Sequence, residues 1–226
     1  MKTVVKVLLG LSVVLLAYFC VTSITTPIKF EEKRADREKV VIARLVDIRK
    51  AQIEFKNQKG RYTASFDTLI SFIKNGKMKM VKKEGALTDE QMEKGLTEKK
   101  AMEIINKGNA KEIAENGLQN FRRDTTYISV LTSLFDGVYD TETINQLSII
   151  PFSENKKFEM ATTLYKTASG IPIPLFEAKA PYEAYLGDLD RQELINLIDI
   201  QKKLDRFAGL QVGSTQEPNN NAGNWE

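Results

Sequence analysis

VLLGLSVVLLAYFCVTSI, Val7 to Ile24, runs for eighteen residues without a charge. As an α-helix rising about 1.5 Å per residue it is roughly 27 Å long, close to the hydrocarbon thickness of a bilayer. Lys2 and Lys6 precede it, and Lys29 follows it. Next comes EEKRADREK, Glu31 to Lys39, in which four basic and four acidic residues cancel. The positive excess therefore lies on the N-terminal side, which predicts that this end stays in the cytoplasm and the remaining chain lies outside. Three fates are open to such a segment. A cleaved secretory signal has a shorter apolar stretch, about 7–15 residues. A lipid anchor on Cys20 wants small residues before it, where Tyr18 and Phe19 stand. The reading adopted is an uncleaved signal anchor in the inner (cytoplasmic) membrane, passing once through the lipid, with a periplasmic domain.

Beyond the span, Pro27 is expected to interrupt or kink the helix, because it lacks an amide hydrogen and its ring clashes with the preceding turn. Residues 27–39 then read as a charged stalk, with Glu31–Arg34, Arg34–Glu38 and Asp36–Lys39 pairing at helical spacing. The helix continues through VVIARLVDIRKAQIEF, Val40 to Phe55, where the pattern changes. Val41, Leu45, Ile48 and Phe55 fall on one stripe, and Ile42, Val46 and Ile53 on an adjacent one, interrupted by Arg49 and Gln52. A helix resting on one domain needs a single stripe. Two stripes imply either deep burial or one face for the domain and one for a neighbouring chain. Val41, Ile42, Leu45, Val46, Arg49 and Ile53 are therefore the candidate partner-binding residues on this helix.

Gly60 is placed to end the helix and Tyr62 to pack back on its last turn. Ser65 is a cap for a short helix whose Phe66, Leu69, Ile70 and Ile73 share a face. Together, Ile48, Ala51, Gln52, Phe55, Gly60, Tyr62 and Leu69 give the first seventy residues a pattern that resembles the start of type IV pilins and type II secretion pseudopilins. The resemblance implies an envelope protein that works by assembly with other chains. Two positions depart from it: Gly10 is followed by Leu11, and no acidic residue precedes Glu31, so leader processing and the packing role of an early Glu are not implied.

The outer part, 40–213, reads as one α+β domain with a small antiparallel sheet. KMKMV, Lys77 to Val81, alternates as a strand with one dry face. Residues 82–117 carry a charged helical excursion with little core. Its capping-box pattern at Thr88–Gln91 opens a helix to Ile105, and a second helix runs from Ala110 to Asn116. Asp124 to Phe135, DTTYISVLTSLF, reads as a strand. Strands at 157–167 and 171–178 join through Ser169-Gly170, the second at a sheet edge because Pro172 and Pro174 cannot donate. Asp190 caps a helix to about Phe207, and Leu210 to Val212 form a last strand. Residues 214–226 read as a flexible tail. Its penultimate Trp225, the only Trp in the chain, is a candidate anchor for a partner's pocket.

Chemistry is narrowed by what is missing. The 226 residues contain no His and a single Cys, which removes His-based nucleophile systems, His-ligated zinc and disulfides. A formal charge of +3, from 33 basic and 30 acidic residues, gives no basic face for nucleic acid. Asp136, Asp140 and Glu142 lack the alternation of a calcium loop and read as an Asp-capped turn. Among Glu154, Glu159, Glu177, Glu183, Asp188 and Asp190 a glycosidase-like pair is the remaining enzymatic option. The expectation is a non-enzymatic scaffold or assembly subunit without cofactor or metal, whose partners are the bilayer, itself or other envelope proteins. The alternative is a tethered module that binds a small ligand or cell-wall polymer on Tyr127, Tyr139, Tyr165, Tyr182 and Tyr185.

Overall fold

The computed structural model describes residues 2–226, with side chains at all of these except 2, 5, 81–83 and 124. Its first element is one helix, α1 (Lys2–Lys59), with Pro27 inside it. The expected interruption is absent. Proline removes a single amide donor here, and α1 runs on through it. The helix ends where expected, at Gly60, whose φ of +73° suits a residue without Cβ and whose amide donates to Lys56 O. The expected short helix follows as α2 (Phe66–Asn75), where Ser65 Oγ accepts from the Thr68 amide at 3.3 Å.

The chain divides into two compact units, where one domain was expected. The larger comprises the chain up to Phe72 together with Val138–Glu226. Its centre is a three-stranded antiparallel sheet of β3 (Glu159–Lys166), β4 (Pro172–Pro181) and β5 (Gly209–Gly213), in the order β3-β4-β5. The C-terminal half of α1 lies against β4 and β5. Phe30, Val41, Leu45, Ile48, Ala51 and Phe55 are buried along it, facing a core that includes Phe176, Ala178, Tyr185, Leu210 and Val212. Each large apolar side chain so covered contributes about 1.5–3 kcal/mol, which explains why this half of the helix holds its place. By contrast Val7, Leu9, Val14, Phe19 and Ile24 stand uncovered.

Strand β4 is central, not an edge. The expectation still holds locally: β5 pairs only with Glu177–Pro181, so Pro172 and Pro174 sit where β4 has β3 alone beside it. Two short helices complete the unit. In α7 (Tyr182–Tyr185) the tyrosines turn inward, and α8 (Arg191–Lys203) is capped by Asp190, which accepts from Gln192 and Glu193 amides. Leu194, Leu197 and Ile198 face the core, whereas Ile195, Ile200 and Leu204 are exposed, so the face is narrower than expected. A 3-10 helix, Thr143–Ser148, follows the Asp140 turn, whose carboxylate accepts from the Glu142 and Thr143 amides.

The smaller unit is Ile73–Gly137. Strands β1 (Lys77–Glu84) and β2 (Arg122–Ser129) form an antiparallel ribbon. Of the expected dry face, Met78 is half-buried and Met80 exposed, and the Val81 side chain lies outside the described residues. The predicted strand over Asp124–Phe135 stops at Ser129 and becomes helix α6 (Val130–Phe135), in which Val130 and Phe135 are buried. Between the strands lie α3 (Asp89–Glu93), α4 (Glu98–Lys107) and α5 (Ala110–Glu115). The Thr88–Gln91 capping box is present, but the chain leaves the helix after Glu93 and Thr97 caps α4 anew. This segment does have a core of its own: Ala101, Leu118 and Phe121 are buried, with Leu87, Leu96, Ile104 and Ile113 packed around them.

Candidate functional site

Two features of the larger unit gather the functional candidates: the outward side of α1 and the C-terminal segment that crosses it. Among the partner residues expected on α1, Val41 and Leu45 are fully buried in the unit's own core and are corrected to structural residues. Ile42 and Val46 are half-buried, and Ile53 is 39% exposed. The second stripe therefore runs along the boundary between core and solvent. Val40, 44% exposed, lies elsewhere on the helix surface.

Arg49 does not point to solvent. Its guanidinium donates to Asn221 O at 3.2 Å and to Glu226 Oε1 at 2.6 Å. That hydrogen bond holds the Glu226 carboxyl below its ordinary range. The C-terminal segment, expected to be flexible, lies instead along the outer edge of β5. Gly213 N donates to Ala222 O and Asn224 N to Gln211 O, both at 2.9 Å, and Val212 bridges Gly223. Asn224 adds a side-chain bond to Gly209 O at 2.9 Å. An uncovered sheet edge offers unpaired amides and carbonyls, and asparagine-rich chain can satisfy them from both backbone and side chain. Trp225 is half-buried and folds over Gly223; a Cβ there would stand 2.4 Å from its ring. Trp225 thus meets its own chain, and the same segment engages both Arg49 and Trp225.

Beside this strap is an open groove of about 680 Å³, lined by Arg34, Glu38, Tyr182, Arg206, Phe207 and Trp225 among others. Arg34 bonds Glu38 at 2.9 Å and Glu31 at 3.0 Å, and it stands 5.7 Å from the Tyr182 ring centre. Burial opposes its charge, but the Glu38 bond and the two carboxylates outweigh this and raise its pKa. Next to it the Tyr185 hydroxyl is buried without a hydrogen-bond partner among the described residues, and burial pushes its pKa up. One turn along, Arg37 forks onto Asp188, with Nη2 to Oδ2 at 2.7 Å, and donates to Tyr185 O at 2.7 Å. The charged residues of the expected stalk therefore grip the domain from Phe30 onward, in addition to the three helix-surface pairs.

Other candidates are scattered. Tyr127 is exposed in the smaller unit; Tyr139 donates to Asp47 at 2.9 Å and is pushed up to about 12, chiefly by burial. Of the candidate tyrosines, Tyr182 and Tyr185 are adjacent, with ring centres 6.0 Å apart. Glu177 is buried against Lys179 Nζ at 2.6 Å, and Asp188 is taken by Arg37. Glu154, Glu183 and Asp188 share the rim of a shallow depression. No group of three or more potential metal ligands occurs among the described residues. The larger unit thus carries paired charges, aromatic faces and a covered sheet edge. No protein-family model matches the chain, and no curated protein or solved structure matches it either.

Sequence reasoning missed Gln52. Read as an interruption, it is fully buried; its Nε2 donates to Thr63 O at 2.6 Å and contacts Met160 Sδ, while Thr63 N donates to its Oε1. The signal was there: a polar side chain flanked by Ile48, Ala51 and Phe55 is on the dry stripe, where it must be hydrogen-bonded.

Proposed function

We propose that this chain is a single-pass bacterial envelope protein, anchored in the inner membrane with its domain in the periplasm. It acts as a non-enzymatic scaffold or assembly subunit of pilin-like or pseudopilin-like build. The observation that carries this reading is the division of α1: its first half is apolar and uncovered, long enough to cross a bilayer, and its second half is the spine of a folded domain. One helix shared between lipid and domain is the economical way to present a domain beside copies or partners in the same membrane. The partner face on this reading is Ile42, Val46 and Ile53, since Val41 and Leu45 are occupied. The test is disulfide trapping in membranes with Ile53→Cys in a Cys20→Ser background. Covalent dimers or a discrete heteromeric adduct support the reading, and a monomer under oxidation with the cysteine still reactive overturns it.

The groove favours a second reading, a tethered module for a small ligand or cell-wall polymer. Tyr182, Phe207 and Trp225 offer aromatic faces, and Arg206 a cation, in one depression. Saturable binding of solubilised glycan fragments, lost in Trp225→Ala, supports that alternative.

A further inference from the structure

We infer that the domain is seated directly in the phosphate layer of the bilayer, through a contact formed by Lys29, Lys33 and Leu189. The inference rests on the membrane reading of α1 and adds where the domain lies. From Val7 to Ile28 the chain has 22 residues without a charge, ending at Lys29. Because α1 is continuous through Lys59, about 20 of these span the roughly 30 Å of hydrocarbon, and Lys29 emerges at its boundary. Phe30, the very next residue, is buried in the domain. No length is left for a stalk.

What meets α1 at this level is the loop before α8. Asp188, Leu189 and Asp190 share a depression with Thr26, Lys29, Phe30 and Lys33. Thr26, within the uncharged stretch, lines the same depression, so this hollow extends about one turn below Lys29, toward the lipid. The charges there are arranged for an anion. Asp188 is held by Arg37, and Asp190 caps α8. Lys29 and Lys33 form no salt bridge among the described residues; Lys33 adds a weaker field to Asp188. Two lysines flanking a half-buried leucine match the lipid interface, where ammonium groups meet phosphate and the aliphatic chain meets glycerol and upper acyl carbons.

The test uses full-length protein in phosphatidylcholine vesicles containing phosphatidylglycerol, with a fluorophore on one cysteine at a time. Native Cys20 reports the span. Leu189→Cys and Asn57→Cys, each in a Cys20→Ser background, report the loop and the far end of α1, about 42 Å beyond Lys29. Lipids carrying a headgroup nitroxide should quench the Leu189 position at least threefold more than the Asn57 position. Lys29→Glu with Lys33→Glu should reduce that quenching while Cys20 remains protected from a soluble quencher. Equal quenching at the two outer positions, with Cys20 protected, overturns the seating and leaves the span intact. An exposed Cys20 in protein that does not float with vesicles overturns the membrane reading itself.

Discussion

Gln52 and Thr63 are joined amide to backbone, the side chain donating to the Thr63 carbonyl at 2.6 Å and accepting from the Thr63 amide at 3.2 Å. The pair closes the turn after α1 from inside the core. Gln52→Leu keeps the volume and strands both Thr63 groups, which costs about 1–3 kcal/mol for each group left without a partner. Urea unfolding of full-length protein in detergent should show a lower midpoint with an unchanged m-value, the product of the two falling by this amount, and Gln52→Glu should be affected at neutral pH through loss of the donor.

The C-terminal strap should peel locally. Gly223→Ala puts a methyl group where the Trp225 ring now lies, 2.4 Å away, and Arg49→Ala removes the anchor of Glu226. Since Trp225 is the only Trp, its emission reports the strap alone. Both variants should shift it to the red, with far-UV circular dichroism unchanged. Unshifted emission in both would show that the edge bonds to β5 suffice.

Acid should loosen the grip of α1 on the 186–190 loop. The Arg37 hydrogen bond lowers the Asp188 pKa, so its contribution is complete above the ordinary carboxylate value of about 4 and is lost as pH falls through the lower folded value. Asp188 is largely exposed, and the effect is correspondingly small in salt. Protection factors at the Leu186 and Leu189 amides, corrected for the intrinsic pH dependence of exchange, should fall below pH 4. Asp188→Asn should already exchange fast at pH 7 and show a flatter acid response.

The helical part of the smaller unit has a small core of its own. Leu118→Ala removes one of the three buried residues of that cluster, a loss of about 2–5 kcal/mol for a core leucine. Amides of α4 and α5 should lose protection in hydrogen exchange. Glu103→Ala, a neighbour on the exposed side of α4, should leave them protected.

Legibility followed the strength of the local rules. The caps at Thr88 and Asp190, the stop at Gly60 and the 159–166/172–181 hairpin are short-range devices with one reasonable outcome, and each was readable. What failed depended on distant chain. Whether Val41 or Ile42 faces the core is decided by where β4 and β5 lie, about 130 to 170 residues later. The ordering of 214–226 depends on an open β5 edge that no composition reveals. The switch from strand to helix at Val130 was hidden because β-branched residues also suit a buried helix face. At the candidate site, Arg49 and Trp225 were singled out for contacts with other molecules, and the fold instead ties both to the same strap.

Because α1 passes Pro27 unbroken, its apolar first half and the spine of the larger unit are one continuous helix. In the bilayer-spanning arrangement proposed above, a change in bilayer thickness that tilts this helix would swing the whole larger unit with it, the helix working as a lever whose fulcrum is the membrane surface.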